Sequence, residues 1–152
     1  MKKYITIIIV SFLAILSCEK DDICIEATTP NLVIRFYNND IQTDVKDVLL
    51  DSVWSINKNG IEQYKSVSTD SIAIPLNLNE DSTTYIIENN SIKDTLKFIY
   101  DRKDIFVSRS CGYKTIFENL QIESNSTNWI KNININNAII ENDTAAHISI
   151  FH

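Results

Sequence analysis

The chain has 152 residues, with 14 Lys and Arg against 20 Asp and Glu, a formal net charge of −6 and 44% hydrophobic residues. That length suits one domain with a core of its own rather than two, and basic residues scattered among an excess of carboxylates argue against nucleic acid as a partner, because a phosphate backbone requires a basic stripe. With two glycines and two histidines in all, the sequence has no material for a phosphate loop, a dinucleotide fingerprint, a Gly-x-Ser-x-Gly elbow or a His-Glu-x-x-His zinc site.

In chain order, Lys2 and Lys3 precede an almost wholly apolar run from Tyr4 to Leu16, too short to span a bilayer and patterned as an export signal. The run ends in Ile15-Leu16-Ser17-Cys18, a lipobox. Its cysteine is expected to take a diacylglyceryl group and become the first residue after cleavage, and two or more acyl chains give stable membrane attachment. The segments expected are therefore a signal peptide over 1–17, a lipidated cysteine with an acidic tether over 18–23, and one domain over 24–152. Glu19-Lys20-Asp21-Asp22 resembles the export tag that follows the lipidated cysteine in surface lipoproteins of Bacteroidota, with Lys20, Asp21 and Asp22 as the tag. It implies an outer-membrane location with the cell surface favoured over the periplasmic face.

Once Cys18 carries lipid, Cys24 and Cys111 remain, an even number in an oxidising compartment, and they are expected to pair. Free thiols or a redox couple are the alternatives, but no Cys-x-x-Cys is present to depress a thiol pKa. Closing so long a loop stabilises by about 4 kcal/mol in the chain-entropy account.

From residue 32 onward the apolar residues alternate with period two. Leu32, Ile34 and Phe36 share one face. Val48, Leu50, Trp54 and Ile56 share a parity, as do Ile72, Ile74, Leu76 and Leu78. Tyr85 and Ile87, Ile92 to Tyr100, Ile105 and Val107, Ile133 and Ile135, and Ile148 and Ile150 continue the pattern. Turns are expected at Asn38-Asn39-Asp40, Asn57 to Gly60, Asn79 to Ser82, Glu88 to Ser91, Asp101 to Asp104 and Glu141 to Asp143, because Asn and Asp tolerate left-handed conformations. Pro75 suits an edge strand. Seven to nine such strands predict an all-β antiparallel sandwich, immunoglobulin-like or transthyretin-like, with a closed barrel as the alternative.

Chemistry-bearing patterns are sparse. Asn77, Asn79, Asp81 and Glu88 echo a calcium loop, but Ser82 stands where that loop needs glycine, so no metal and no other cofactor is expected. His147 reads as a structural residue at the head of the last strand. No catalytic residue can be assigned. Of the two tryptophans, Trp54 has core parity, and Trp129 is the one closer to a flat platform that could meet a sugar ring or a protein, although packing is the role expected of it as well. Asp51-Ser52, Asp70-Ser71, Asp81-Ser82, Asp94-Thr95 and Asp143-Thr144, each followed by an apolar residue or Thr, resemble Bacteroidota O-glycan acceptor sites, which makes Ser52, Ser71, Ser82, Thr95 and Thr144 the candidate hydroxyls.

The lipobox, Cys24, the run Thr29 to Tyr37, the motif Ser110-Cys111-Gly112-Tyr113 and the closing Ala146 to Phe151 together resemble an uncharacterised flavobacterial lipoprotein family. That resemblance implies a lipid anchor and a disulfide-linked β domain, and supplies no reaction. The function expected is a non-catalytic binding or envelope-assembly module, held to the outer membrane by lipid and meeting an envelope protein or glycan. The alternative is a small hydrolase that acts on envelope polysaccharide or peptide through a carboxylate pair.

Overall fold

A computed structural model describes Cys24 and residues 28–152. Among the described residues nine strands form two sheets: β1 (Leu32–Tyr37), β4 (Ser71–Ile74), β8 (Asn132–Ile135) and β9 (Ile148–Phe151) in one, and β2 (Val48–Ser55), β3 (Val67–Thr69), β5 (Ser82–Asn89), β6 (Ile92–Ser108) and β7 (Gly112–Asn125) in the other. The strand orders are β4-β1-β9-β8 and β3-β2-β5-β6-β7. All pairings are antiparallel except β1 with β9, which run parallel. The sheets close on one apolar core, Leu32, Ile34, Phe36, Ile72, Ile74, Ile148 and Ile150 facing Leu50, Val53, Ile87, Leu96, Phe98 and Phe117. This is the predicted β-sandwich.

Alternation survives where the ladder is regular and inverts where it is not. In β1 and β5 every second side chain is buried. In β2 the register shifts between Leu50 and Ser52, and one extra residue turns every later side chain over. Val53 is buried in place of Trp54, which is half-buried under the Lys93 ammonium, while Ile56 is exposed. Trp129 is only 7% exposed, tilted against Phe36 and edge-on to His152. Trp129 is thus packed, as expected, but the expected order of exposure is reversed, Trp54 being the more exposed of the two.

Asn90 and Ser91 both take positive φ, 47° and 64°, in the two-residue turn from β5 to β6, the geometry that matches strand twist. Asn57 does the same in its turn. The expected break at Asp101 to Asp104 is absent: these residues lie inside β6, a 17-residue strand. The charge there reflects a strand that has run past the core and needs no apolar face. Its partner β7, not expected from the sequence, carries an irregularity opposite Ile99 and Asp101, with Asn119 at φ 55°. Before it, in regular register, Ile116 and Phe117 are both buried on opposite faces of the strand, Phe117 in the main core.

Two polar devices hold the shell. The Asp94 carboxylate, fully buried, accepts hydrogen bonds from the Ser126 hydroxyl (2.6 Å) and from the backbone N–H groups of Asn128, Trp129 and Ile130 (2.8 Å each). Burial disfavours its charge, but these four donors outweigh that and hold it below the usual aspartate range. It fixes the 126–130 loop and with it Trp129. On edge strand β4 the Tyr64 hydroxyl accepts from Ala73 N–H (2.7 Å) and donates to Ala73 C=O (3.1 Å), filling the position a further strand would take. The strand is at an edge, as expected, but it ends at Ile74, so that Pro75 follows it rather than lying within it.

Candidate functional site

β5 pairs with β6 only from Ile92 to Ile99, whereas β6 and β7 stay paired out to Ser108 and Gly112. The hairpin therefore projects beyond the sandwich as a two-stranded arm. Its base is braced: the β4–β5 crossover is fastened where Arg102 donates to Asp81 (2.7 Å) and to Leu78 C=O (2.6 Å). Tyr100 Oη bonds Asn77 and Thr83, and Tyr85 Oη donates to Pro75 C=O. Burial pushes both phenols above their ordinary pKa, so they remain neutral donors. On the other side Thr115 N–H is met by the Thr29 hydroxyl, and Phe117 exchanges backbone hydrogen bonds with Ile140.

Beyond Thr115 the arm is held by the Cys24–Cys111 disulfide and by Lys114 Nζ, which donates to Glu141 C=O (3.5 Å). Phe106 and Tyr113 are directly paired across it, their rings edge-to-face at 5.4 Å, and they are 58% and 71% exposed. Their strand parity is that of Phe98 and Tyr100, so they continue the core-facing side of the sheet past the point where an opposing sheet exists to cover it. Gly112, at φ 72°, closes the tip, where the left-handed region favours glycine. Arg109 and Lys114 flank the aromatics, and the segment from Ile105 to Phe117 contains no carboxylate.

Cys24 is disulfide-bonded to Cys111 with the two Cα atoms 4.9 Å apart, within disulfide reach. The expected pair forms, and Cys111 lies just after the strand containing Ile105 and Val107, as expected. It attaches the start of the domain to the tip of the arm rather than to the body of the sandwich.

Two clefts lie near the arm's base. One of about 460 Å³ is lined by Leu78, Asp81, Asp101, Arg102, Asp104 and Thr115. Here the carboxylates are engaged, Asp81 by Arg102, Asp104 by the Thr115 hydroxyl (2.6 Å) and Asp101 by the Asn119 amide (2.6 Å). The other, about 410 Å³, lies between the 56–59 turn and the crossover, with Ile56, Ile61, Leu76 and Leu78 among its walls.

The remaining expected sites are dispersed. Cys18, Lys20, Asp21 and Asp22 lie outside the described residues. Ser52, Ser71 and Ser82 are half-buried in or at the start of strands, and Ser71 donates to Asp70. Thr95 is exposed, but its Asp94 is sealed inside the fold. Thr144 is the candidate whose hydroxyl and preceding aspartate are both exposed in a loop. The echo of a calcium loop is not a site: Asn77 caps its own turn, Asp81 pairs with Arg102, and Glu88 lies along β5 near Lys93. Among the described residues no cluster of three metal-ligating side chains occurs. His147 is buried, accepts from Val33 N–H through Nδ1 (3.1 Å), and is pushed below the usual histidine range by burial. It extends the β1–β9 pairing as a neutral side chain.

Residues 51–152 match the family described as Family of unknown function (DUF6452). The chain belongs to that family. No curated protein and no solved structure matches the chain. The DUF6452 match takes in the whole arm, with Phe106, Cys111 and Tyr113, and also Asp94, while β1 and Cys24 precede it. Sequence reading passed over Phe106, whose parity opposes that of Ile105 and Val107, and Asp94, a carboxylate in phase with core residues Leu96 and Phe98. Both were visible as departures from the pattern of their own strand.

Proposed function

We propose that this DUF6452 protein is an outer-membrane-anchored lipoprotein of flavobacterial (Bacteroidota) type, facing the cell surface, whose sandwich serves as a non-catalytic binding or envelope-assembly module. The observation that carries the reading is the clamp of Cys24 onto the arm tip. Cys24 lies six positions after the lipobox cysteine, so the bridge keeps the arm tip within a short tether's length of the proposed anchor. A freely swinging enzyme domain has no use for such a clamp; a module that must present one pole has.

The pole away from the arm then faces outward. It carries the 38–47 loop, where Ile41 and Val45 are exposed on a backbone held by Asn38 N–H to Asp44 C=O and Lys46 N–H to Phe36 C=O. Exposed apolar side chains on an ordered loop suit a protein partner or a glycan. The carboxylates near the arm are tied to Arg102, Thr115 and Asn119, and the buried Asp94 is held ionised by structural donors. A general acid requires the opposite, a raised pKa.

Replacing Cys18 by Ser is expected to move the protein from the membrane to the soluble fraction. Non-permeant protease on intact cells is expected to digest the unmodified protein, and changing Lys20, Asp21 and Asp22 to Ala to protect it. A Cys18→Ser protein that still pellets after a high-salt wash overturns the lipid anchor; full protection of the unmodified protein overturns the surface location.

A further inference from the structure

We infer that the tip of the β6–β7 arm rests in the headgroup layer of the membrane that holds the chain, with Phe106 and Tyr113 as interfacial side chains and Arg109 and Lys114 against lipid phosphates. This rests on the lipid anchor at Cys18 proposed above. Three observations carry it.

The first is reach. Cys24 is covalently joined to Cys111 and lies six positions from Cys18, a span of at most about 20 Å when fully extended. The arm tip cannot leave the neighbourhood of the bilayer, so even weak attraction is made effective by the tether.

The second is shape and polarity. Phe106 and Tyr113 are the two most exposed of the large hydrophobic side chains among the described residues, and they sit together on a projecting hairpin rather than on a flat face. Amphipathic aromatic rings favour the boundary between hydrocarbon and water. Among the described residues no strand of the opposing sheet covers them, because that sheet has ended.

The third is charge. The protein carries an excess of acidic residues, yet from Ile105 to Phe117 it has Arg109 and Lys114 and no carboxylate. Asp104 accepts the Thr115 hydroxyl, and Asp21, Asp22 and Glu26, which flank Cys24 in sequence, belong to the segment bridged to the tip rather than to its strands. Arg109 and Lys114 are the charges that the hairpin itself offers to lipid phosphates beside the aromatics.

The test uses the acylated full chain in phospholipid vesicles, with acylation established by intact mass. The variant Phe106→Trp is compared with the unsubstituted protein in vesicles whose acyl chains are brominated near the headgroup, and Tyr113→Trp serves as the second variant. The emission added by either substitution is expected to shift to the blue and to lose at least half its intensity to the bromolipid. The same substitutions in a Cys18→Ser background are expected to show neither effect. Acylated protein whose added emission stays red and unquenched overturns the arm's contact while leaving the anchor standing. An added emission that shifts to the blue with protein concentration and without vesicles overturns it in favour of a second copy of the chain. Failure to acylate overturns the anchor itself.

Discussion

Asp94→Asn keeps the shape of the side chain and removes one acceptor. In the native fold Oδ1 accepts from the Ser126 hydroxyl and Asn128 N–H, while Oδ2 accepts from Trp129 N–H and Ile130 N–H. The cheaper of the two amide orientations puts the new NH2 where Oδ1 was. Ser126 can then rotate its hydroxyl to accept, but Asn128 N–H is left pointing at another donor. The opposite orientation orphans two backbone N–H groups. The orphaned Asn128 N–H is only part-buried and costs about 1 kcal/mol, and the surviving bonds lose their charge assistance, so the variant is expected to be less stable by about 1–3 kcal/mol at pH 7. Because the folded-state pKa of Asp94 is depressed, the carboxylate's contribution is fully present above the unfolded value of about 3.9 and is lost as pH falls through the folded value. Urea titrations of both proteins should therefore show a gap that is constant near neutrality and narrows at acid pH, the other carboxylates cancelling in the difference. A gap under about 1 kcal/mol at pH 7, or one that does not change down to pH 2, refutes the assignment of Asp94 as the group that holds the 126–130 loop.

Reduction of Cys24–Cys111 should lower the midpoint of thermal unfolding, since a constraint across 87 residues is removed from the unfolded chain. Far-ultraviolet circular dichroism should show the strand content retained, because the core lies elsewhere. Tyr64→Phe should cost about 1–2 kcal/mol by removing the partner of both Ala73 backbone groups. It should also raise concentration-dependent association measured by light scattering, as the β4 edge becomes available for pairing.

The fold was legible where burial and regular pairing coincide. β1, β4 and β9 announce themselves through Leu32, Ile34, Phe36, Ile72, Ile74, Ile148 and Ile150, and the disulfide through the parity of the cysteine count. Reading failed at irregularities that one sequence does not mark. The bulge after Leu50 reversed Trp54, and Asn119 broke the alternation of β7. The charged stretch Asp101 to Asp104 resembled a turn because a strand outside the core has no apolar signature. The arm, which supplies the candidate site, was hidden for the same reason: a hairpin that leaves the sandwich is recognised by the core it lacks. That Trp129 is more deeply buried than Trp54 was not legible, because it depends on Asp94, a contact between residues 35 apart in sequence.

The position of the bridge also decides how the domain carries load. Without it, a pull applied on the N-terminal side of Cys24 would reach the ordered structure near β1, a single six-residue strand. Joined to the turn between β6 and β7, the same pull is shared with the closed end of the hairpin and drags both strands in one direction. Tension delivered that way runs parallel to the strands, so the eight residue pairs between β5 and β6 resist together in shear, instead of opening one after another like a zipper.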